Sequence, residues 1–182
     1  MADRLLLVGM MGAGKSTVAR LAARSVGWKW LDVDEMVSRE AGASVPELFA
    51  RHGESYFRRQ ESRALQSVLG GDEDVIVSVG GGAVLDEANR ARLAEGGEVV
   101  WLRARPETLM ARVRDGAGRP LLDGTTPEQR MQTLRRIDAE RRPIYGALAR
   151  HVVDVDGLDA ASVARRVLEA AGLNGGEGKA HP

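Results

Sequence analysis

The chain has 182 residues, a length that fits one α/β domain, and 43% of them are hydrophobic, enough for a real core. Lys plus Arg and Asp plus Glu balance at 26 each, so bulk charge gives no reason to expect nucleic acid or another polyanion as partner. There is no Cys, no apolar run near the ~18 residues of a membrane span, and no signal-peptide layout in MADRLLLVGM, so the expected class is a cytoplasmic enzyme or switch.

Leu5 to Val8 is an all-apolar run, as in a central parallel strand covered on both faces. It runs into Gly9-Met10-Met11-Gly12-Ala13-Gly14-Lys15-Ser16-Thr17, and Val18, Leu21, Ala22 and Val26 then recur at helical spacing. Trp30 to Val33 reads as a second strand, Asp34 to Ala41 as a short helix stopped by Gly42. Ser44-Val45-Pro46-Glu47 has the capping-box pattern and opens a helix to about Arg51; Glu54 to Leu69 forms a longer one. Val75 to Val79 is a third strand, followed by Gly80-Gly81-Gly82 and a helix over Asp86 to Leu93. Val99 to Leu102 is a fourth strand, and Pro106 starts a helix to Val113. The stretch from about 114 to 126 is rich in Gly, Asp and Thr and reads as a mobile lid. A helix runs from Pro127 to Ala139, or on to Arg141 before Pro143; His151 to Val155 is a fifth strand and Ala160 to Ala171 a last helix.

Strands alternating with helices predict an α/β three-layer sandwich, a five-stranded parallel sheet with helices on both faces. One domain is expected over 1–172, with a flexible tail over 173–182. Ligands in such sheets bind beyond the C-terminal strand ends, where the unusual residues of this chain gather.

Gly9-x-x-x-x-Gly14-Lys15-Ser16 matches the phosphate-binding loop between a strand and a helix. Glycines let the backbone approach phosphate, successive N–H groups cradle its oxygens, and the helix N-terminus faces the same charge. Gly12, Ala13, Gly14, Lys15, Ser16 and Thr17 are therefore candidates for holding a nucleoside triphosphate. Lys15 would reach the β/γ-phosphates, and Ser16 would ligate Mg²⁺. Lys stands only at 15, 29 and 179, never after Asn, so the Asn-Lys-x-Asp guanine reader is absent and ATP is favoured.

Asp32 and Asp34, two apart at a strand end, are expected to project together. Asp32 would serve the metal through water and Asp34 an acceptor hydroxyl, unless Asp34 merely caps the next helix. Arg58 and Glu61 lie at i, i+3 on one helix face, where pairing would pre-orient a fork suited to a carboxylate; a solvated ion pair is the plainer account. Phe49 and Phe57 read as core filling. Three glycines at 80–82 exceed what a tight turn needs and would bare backbone N–H groups to the crevice. Arg119, in the lid, and Arg141 offer further cations.

With GMMGAGKST, LDVDEMV, GESYFRRQE, VSVGGGAV, RPLL and ERRPIY in this order, the chain resembles the shikimate kinases, P-loop enzymes of the nucleoside-monophosphate-kinase-like fold, from Leu5 to about Leu168. Met36-Val37-Ser38 departs from the Ile-Glu common there. The resemblance implies ATP and Mg²⁺ with shikimate as acceptor, yielding shikimate 3-phosphate for aromatic amino-acid biosynthesis, in a monomer. It implies that Asp34 and Gly80 to Gly82 meet the acceptor's hydroxyls and that Arg58 and Arg141 clamp its carboxylate. Glu61 would orient Arg58, Arg119 would close on the phosphates, and Arg112 would stack on adenine. A kinase acting on gluconate or a nucleoside monophosphate, or a nucleotide-binding regulator without turnover, would share only the phosphate loop.

Overall fold

The computed structural model describes residues 3–113, 120–122 and 125–173. Strands β1 (Arg4–Val8), β2 (Lys29–Asp32), β3 (Val75–Ser78), β4 (Glu98–Arg103) and β5 (His151–Asp154) form one parallel sheet in the order β2-β3-β1-β4-β5. Leu5 to Val8, all of β3 and Val99 to Leu102 are buried, so both faces of the central sheet are covered, and no hydrophobic alternation survives in them. The helices are α1 (Lys15–Val26), α2 (Val33–Ala41), α3 (Val45–His52), α4 (Glu54–Leu69), α5 (Glu87–Gly96), α6 (Pro106–Val113), α7 (Pro127–Leu148) and α8 (Ala160–Ala170). Small residues on α1, Ala19, Ala22 and Ala23, let it lie close against the sheet and α8. Among the described residues no helix is long and apolar enough to cross a membrane.

The strand order positions the site. After β1 the chain crosses to β2, beyond β3, and the later crossover from β3 leads to β4 on the other side of β1. Connections therefore part at the C-terminal ends of β1 and β3, which opens the crevice typical of such sheets. The two strands stay in register to their ends, where the Val79 N–H donates to the Leu7 carbonyl at 3.0 Å. The phosphate loop and the glycine turn are thus neighbours because β1 and β3 are.

Three expectations need correction. The strand expected over Trp30 to Val33 ends at Asp32, and Val33 opens α2, so Asp32 and Asp34 share no strand face. Asp32 is itself the N-cap: its Oδ1 accepts from the Asp34 and Glu35 N–H groups at 3.0 and 3.2 Å. Asp34 lies in the first helical turn. The helix expected to stop before Pro143 instead runs through it to Leu148. An internal Pro costs about 3 kcal/mol, and burial of Tyr145 against Trp101, ring centroids 5.8 Å apart, offsets that on the far side of it. Of the expected lid, 114–119 and 123–124 lie outside the described residues, and Arg119 with them, as do tail residues 174–182. Leu122 in that stretch is fully buried, an apolar anchor the composition did not announce.

Candidate active site

The phosphate loop has the conformation its glycines permit. Gly9, Gly12 and Gly14 have φ of 140°, 82° and 95°, and a Cβ on Gly9 would stand 2.5 Å from the Leu102 carbonyl oxygen. Helices α2, α3, α5, α7 and α8 each begin with a side-chain cap from Asp, Ser or Thr. Helix α1 begins at Gly14 with no side-chain cap and no acidic residue in its first turn. Its leading N–H groups thus have no anion from this segment of the chain, which leaves them open to an external one. Lys15 folds back over the loop, donating to the Gly9 and Met10 carbonyls at 2.8 and 3.1 Å.

Beside the loop the Ser16 hydroxyl donates to Asp32 Oδ2 at 2.5 Å and lies 3.3 Å from the Ser78 hydroxyl. These are hard oxygen donors at the mouth of the loop, and among the described residues no cluster of three or more His or acidic side chains forms a closed cage. That donor set fits Mg²⁺, which keeps waters and shares substrate phosphate oxygens. Ser78 escaped the sequence reading; the one polar residue of Val75-Ile76-Val77-Ser78, at the strand's C-terminal end, was its signal.

A second pocket adjoins this crevice. Its polar wall is Lys15, Asp34, Arg58, Glu61 and Arg141, and its apolar wall includes Val45, Phe49, Phe57, Pro120 and Leu121. Lys15 and Asp34 line both spaces and so stand at their junction. Phe49 and Phe57, 5.0 Å apart between ring centroids, are wall as well as core. Arg58 Nη1 donates to Glu61 Oε2 at 2.8 Å, the pairing that the i, i+3 spacing predicts. Arg58 also donates from Nε and Nη2 to Glu54 at 3.2 and 3.0 Å, a partner the sequence reading missed although i, i+4 spacing signals it. Burial works to lower the Arg58 pKa, but the charges and hydrogen bonds of Glu61 and Glu54 hold it above the ordinary value.

Glu61 has no exposed surface. Burial pushes its carboxyl up to about 7; Arg58 and Arg141 oppose the shift and Asp34 adds to it.

The three glycines have a further reason beside bare backbone N–H groups. None of them has the positive φ that demands glycine; what they supply is room. A Cβ on Gly80 would stand 1.9 Å from Glu61 Oε1 and 2.8 Å from Asp34 Oδ1. One on Gly82 would stand 2.3 to 2.6 Å from the Arg58 guanidinium, and one on Gly81 3.1 Å from the Gly9 carbonyl oxygen. Arg141 is 4% exposed and its Nη1 lies 3.6 Å from that same Gly81 position. Arg112 donates to the carbonyls of Ala13, Val155 and Leu158 at 3.2, 3.3 and 3.4 Å, which ties the back of the phosphate loop to the segment after β5.

A phosphate loop with an uncapped helix, oxygen donors for a hard cation, and a cationic pocket sharing Lys15 and Asp34 with it are the parts of a P-loop phosphotransferase. The shikimate kinase family model matches residues 11–171. A shikimate kinase of Moorella thermoacetica is 46% identical over 93% of this chain and 95% of its own, and one of Methylococcus capsulatus is 40% identical over 91% and 90%. The solved shikimate kinase of Acinetobacter baumannii, in complex with shikimate, superimposes with a TM-score of 0.87 at 32% identity, covering 93% of this chain and 92% of that one. The chain belongs to the shikimate kinase family.

Two outcomes follow from the packing around Glu61. Gly80→Ala forces Glu61 or the end of β3 to move, and chemical denaturation should register a loss of about 1–3 kcal/mol. The raised Glu61 pKa means the folded state holds this proton more tightly than the unfolded chain, whose ordinary value is 4.5. Its contribution is thus complete below about pH 4.5 and is lost as pH rises through about 7, on the order of 3 kcal/mol. Denaturation of the unliganded protein at pH 5 and pH 8 should give a smaller difference for Glu61→Gln than for the parent; equal differences would mean that Glu61 is not the titrating group.

Proposed function

We infer that this enzyme transfers the γ-phosphoryl group of ATP to the 3-hydroxyl of shikimate, giving ADP and shikimate 3-phosphate. The observation that carries this reading is the junction: Lys15 and Asp34 line both the phosphate crevice and a pocket walled by Arg58 and Arg141. An acceptor with a carboxylate at one end and hydroxyls at the other fits a pocket with guanidinium groups at one end and a carboxylate at the other.

The uncapped first turn of α1, with Gly12, Ala13, Gly14, Ser16 and Thr17, binds the ATP phosphates through backbone N–H groups and hydroxyls. Lys15 neutralises charge that builds on the transferred group. Ser16 and Asp32 would hold Mg²⁺, which would supply positive charge against the phosphates. Arg58, held by Glu61 and Glu54, and Arg141 clamp the acceptor carboxylate, and they offset the repulsion between the anionic acceptor and ATP. Gly80 to Gly82 let the acceptor's ring and hydroxyls approach bare backbone. Asp34 accepts a hydrogen bond from the attacking hydroxyl and takes its proton as the new P–O bond forms. The carry-over of Arg119 to the phosphates rests on motif resemblance alone, and so does the stacking of Arg112 on adenine; the hydrogen bonds of Arg112 to the loop give it a supporting task there regardless.

ADP release should depend on shikimate in a panel that also contains gluconate, nucleoside monophosphates and buffer alone. Turnover led by another acceptor would replace the acceptor assignment, and nucleotide binding without any turnover would leave a regulator. Arg58→Ala should weaken shikimate binding by roughly 2–5 kcal/mol, read by calorimetry, and leave ATP affinity nearly unchanged. A parallel loss of ATP affinity would move Arg58 to the nucleotide side.

The two aspartates should fail differently. Asp32→Asn weakens the metal side, so its activity should recover partly with excess Mg²⁺. Asp34→Asn makes the group at the junction neutral and able to donate, so turnover should fall about 10²-fold or more and excess Mg²⁺ should not restore it. Identical metal rescue of both variants would assign both to the ion.

A further inference from the structure

ERRPIY ends in a residue to which the reading above gives no task. Tyr145 is fully buried, its ring 5.8 Å from that of Trp101, and its hydroxyl donates to the Gly81 carbonyl at 2.6 Å. Arg141 sits one turn earlier on α7 and interacts with the same phenolic oxygen. The Gly81 Cβ position would lie 3.5 Å from the Tyr145 hydroxyl and 3.6 Å from Arg141 Nη1. The glycine turn, helix α7 and the cation that faces the second pocket thus converge on the Gly81 position.

We propose that Tyr145 is a positioning residue for the acceptor, fixing Arg141 relative to the Gly81 turn and so setting the span between carboxylate clamp and phosphate loop. Arg141 is a long side chain, 4% exposed, and its Nε meets no hydrogen-bond partner among the described residues. A guanidinium so buried and so lightly tied needs a rigid neighbour to keep one rotamer. The Tyr145 hydroxyl donates to the Gly81 carbonyl, and Arg141 packs against the same Gly81 position, so one turn of backbone stands between the two side chains and joins two walls of the pocket. Burial pushes this hydroxyl up to about 12 against the opposing charge of Arg141, so it keeps its proton, and the bond to Gly81, across the neutral range. The Gly81 position lies against the Gly9 carbonyl as well, so the same strut fixes the pocket relative to the phosphate loop.

The inference rests on shikimate as acceptor, and its test separates the two. Tyr145→Phe keeps the ring on Trp101 and removes only the hydroxyl. KM for shikimate should rise about tenfold while KM for ATP stays within about twofold, the loss of one buried hydrogen bond on one substrate's side. In an Arg141→Lys background the same change should add nothing further, because the hydroxyl acts through Arg141. Equal rises in both KM values, unchanged KM values with only a lower melting temperature, or full additivity in the double variant would each overturn the proposal. Where Tyr145→Phe does not fold, a second probe serves, since the chain has only 2 Tyr. Incorporation of 3-fluorotyrosine into a Tyr56→Phe background gives a single ¹⁹F signal at 145 with the hydroxyl retained. That signal should shift on addition of shikimate, and a signal unmoved at saturating shikimate would overturn the proposal. A parent enzyme with no shikimate-dependent turnover would instead sink the acceptor assignment.

Discussion

Glu61 carries no exposed surface, and the second pocket is arranged around the cost of burying it. A carboxylate taken out of water loses several kcal/mol unless partners replace the solvent. Here Arg58 replaces the solvent at Oε2, at 2.8 Å, while Oε1 has no hydrogen-bond partner among the described residues and faces the bare Cα of Gly80. Burial therefore pushes the carboxyl of this half-paired group up to about 7, against the charge of Arg58. Its position then dictates its neighbours. Gly80 must lack a Cβ so that Oε1 has room. Arg58 is drawn over Gly82, which must lack one for the guanidinium. Gly81 lies between the phosphate loop and α7. Three consecutive glycines thus answer to three different neighbours, and a turn conformation is the demand of none of them.

The fold was legible in the sequence because parallel strands buried on both faces leave apolar runs, and Gly, Pro and capping residues punctuate them. The phosphate loop was legible for a local reason: its conformation depends on residues within a few positions of one another. What the sequence reading got wrong depends on distant contacts. Pro143 reads as a stop, and it is overridden by the burial of Tyr145 against Trp101 on another element. Asp32 and Asp34 read as a strand pair, yet the N–H groups of Asp34 and Glu35 recruit Asp32 as a cap and wind Asp34 into the helix. The glycine triplet was read as baring backbone N–H groups to the crevice, and the room it leaves for side chains was not legible, because those side chains come from α2, α4 and α7. Tyr145 carried no local signal, since a tyrosine in a helical pattern reads as core whether or not its hydroxyl holds a backbone carbonyl.

Charge explains why the two spaces have to share residues. The second pocket presents Lys15, Arg58 and Arg141 against Asp34 and Glu61, and Glu61 counts for less than a full charge near neutrality. The excess is positive, although the chain as a whole has formal net charge +0. An anionic acceptor brought next to a nucleoside triphosphate meets strong repulsion, and a local cationic excess offsets it without making the surface as a whole basic. Lys15 is the cation at the junction, so on the proposed reading it would screen the two anions from each other as well as serve the phosphates.

Helix α2 supplies the other half of the junction. Its N-terminus is a favourable place for negative charge, and two carboxylates use it at once. Asp32 spends one oxygen on the cap and turns the other to Ser16, so its orientation is fixed from both sides. Asp34, inside the first turn, cannot swing independently of that cap, because its own N–H is one of the cap's donors. The separation between the group facing the phosphates and the group facing the acceptor is therefore set by one rigid turn of backbone. A strand pair would have aimed both carboxylates the same way. The helix turn aims them apart, one toward Ser16 and one toward Gly80, and that divergence is what the proposed division of the two carboxylates between the sides of one transfer would use.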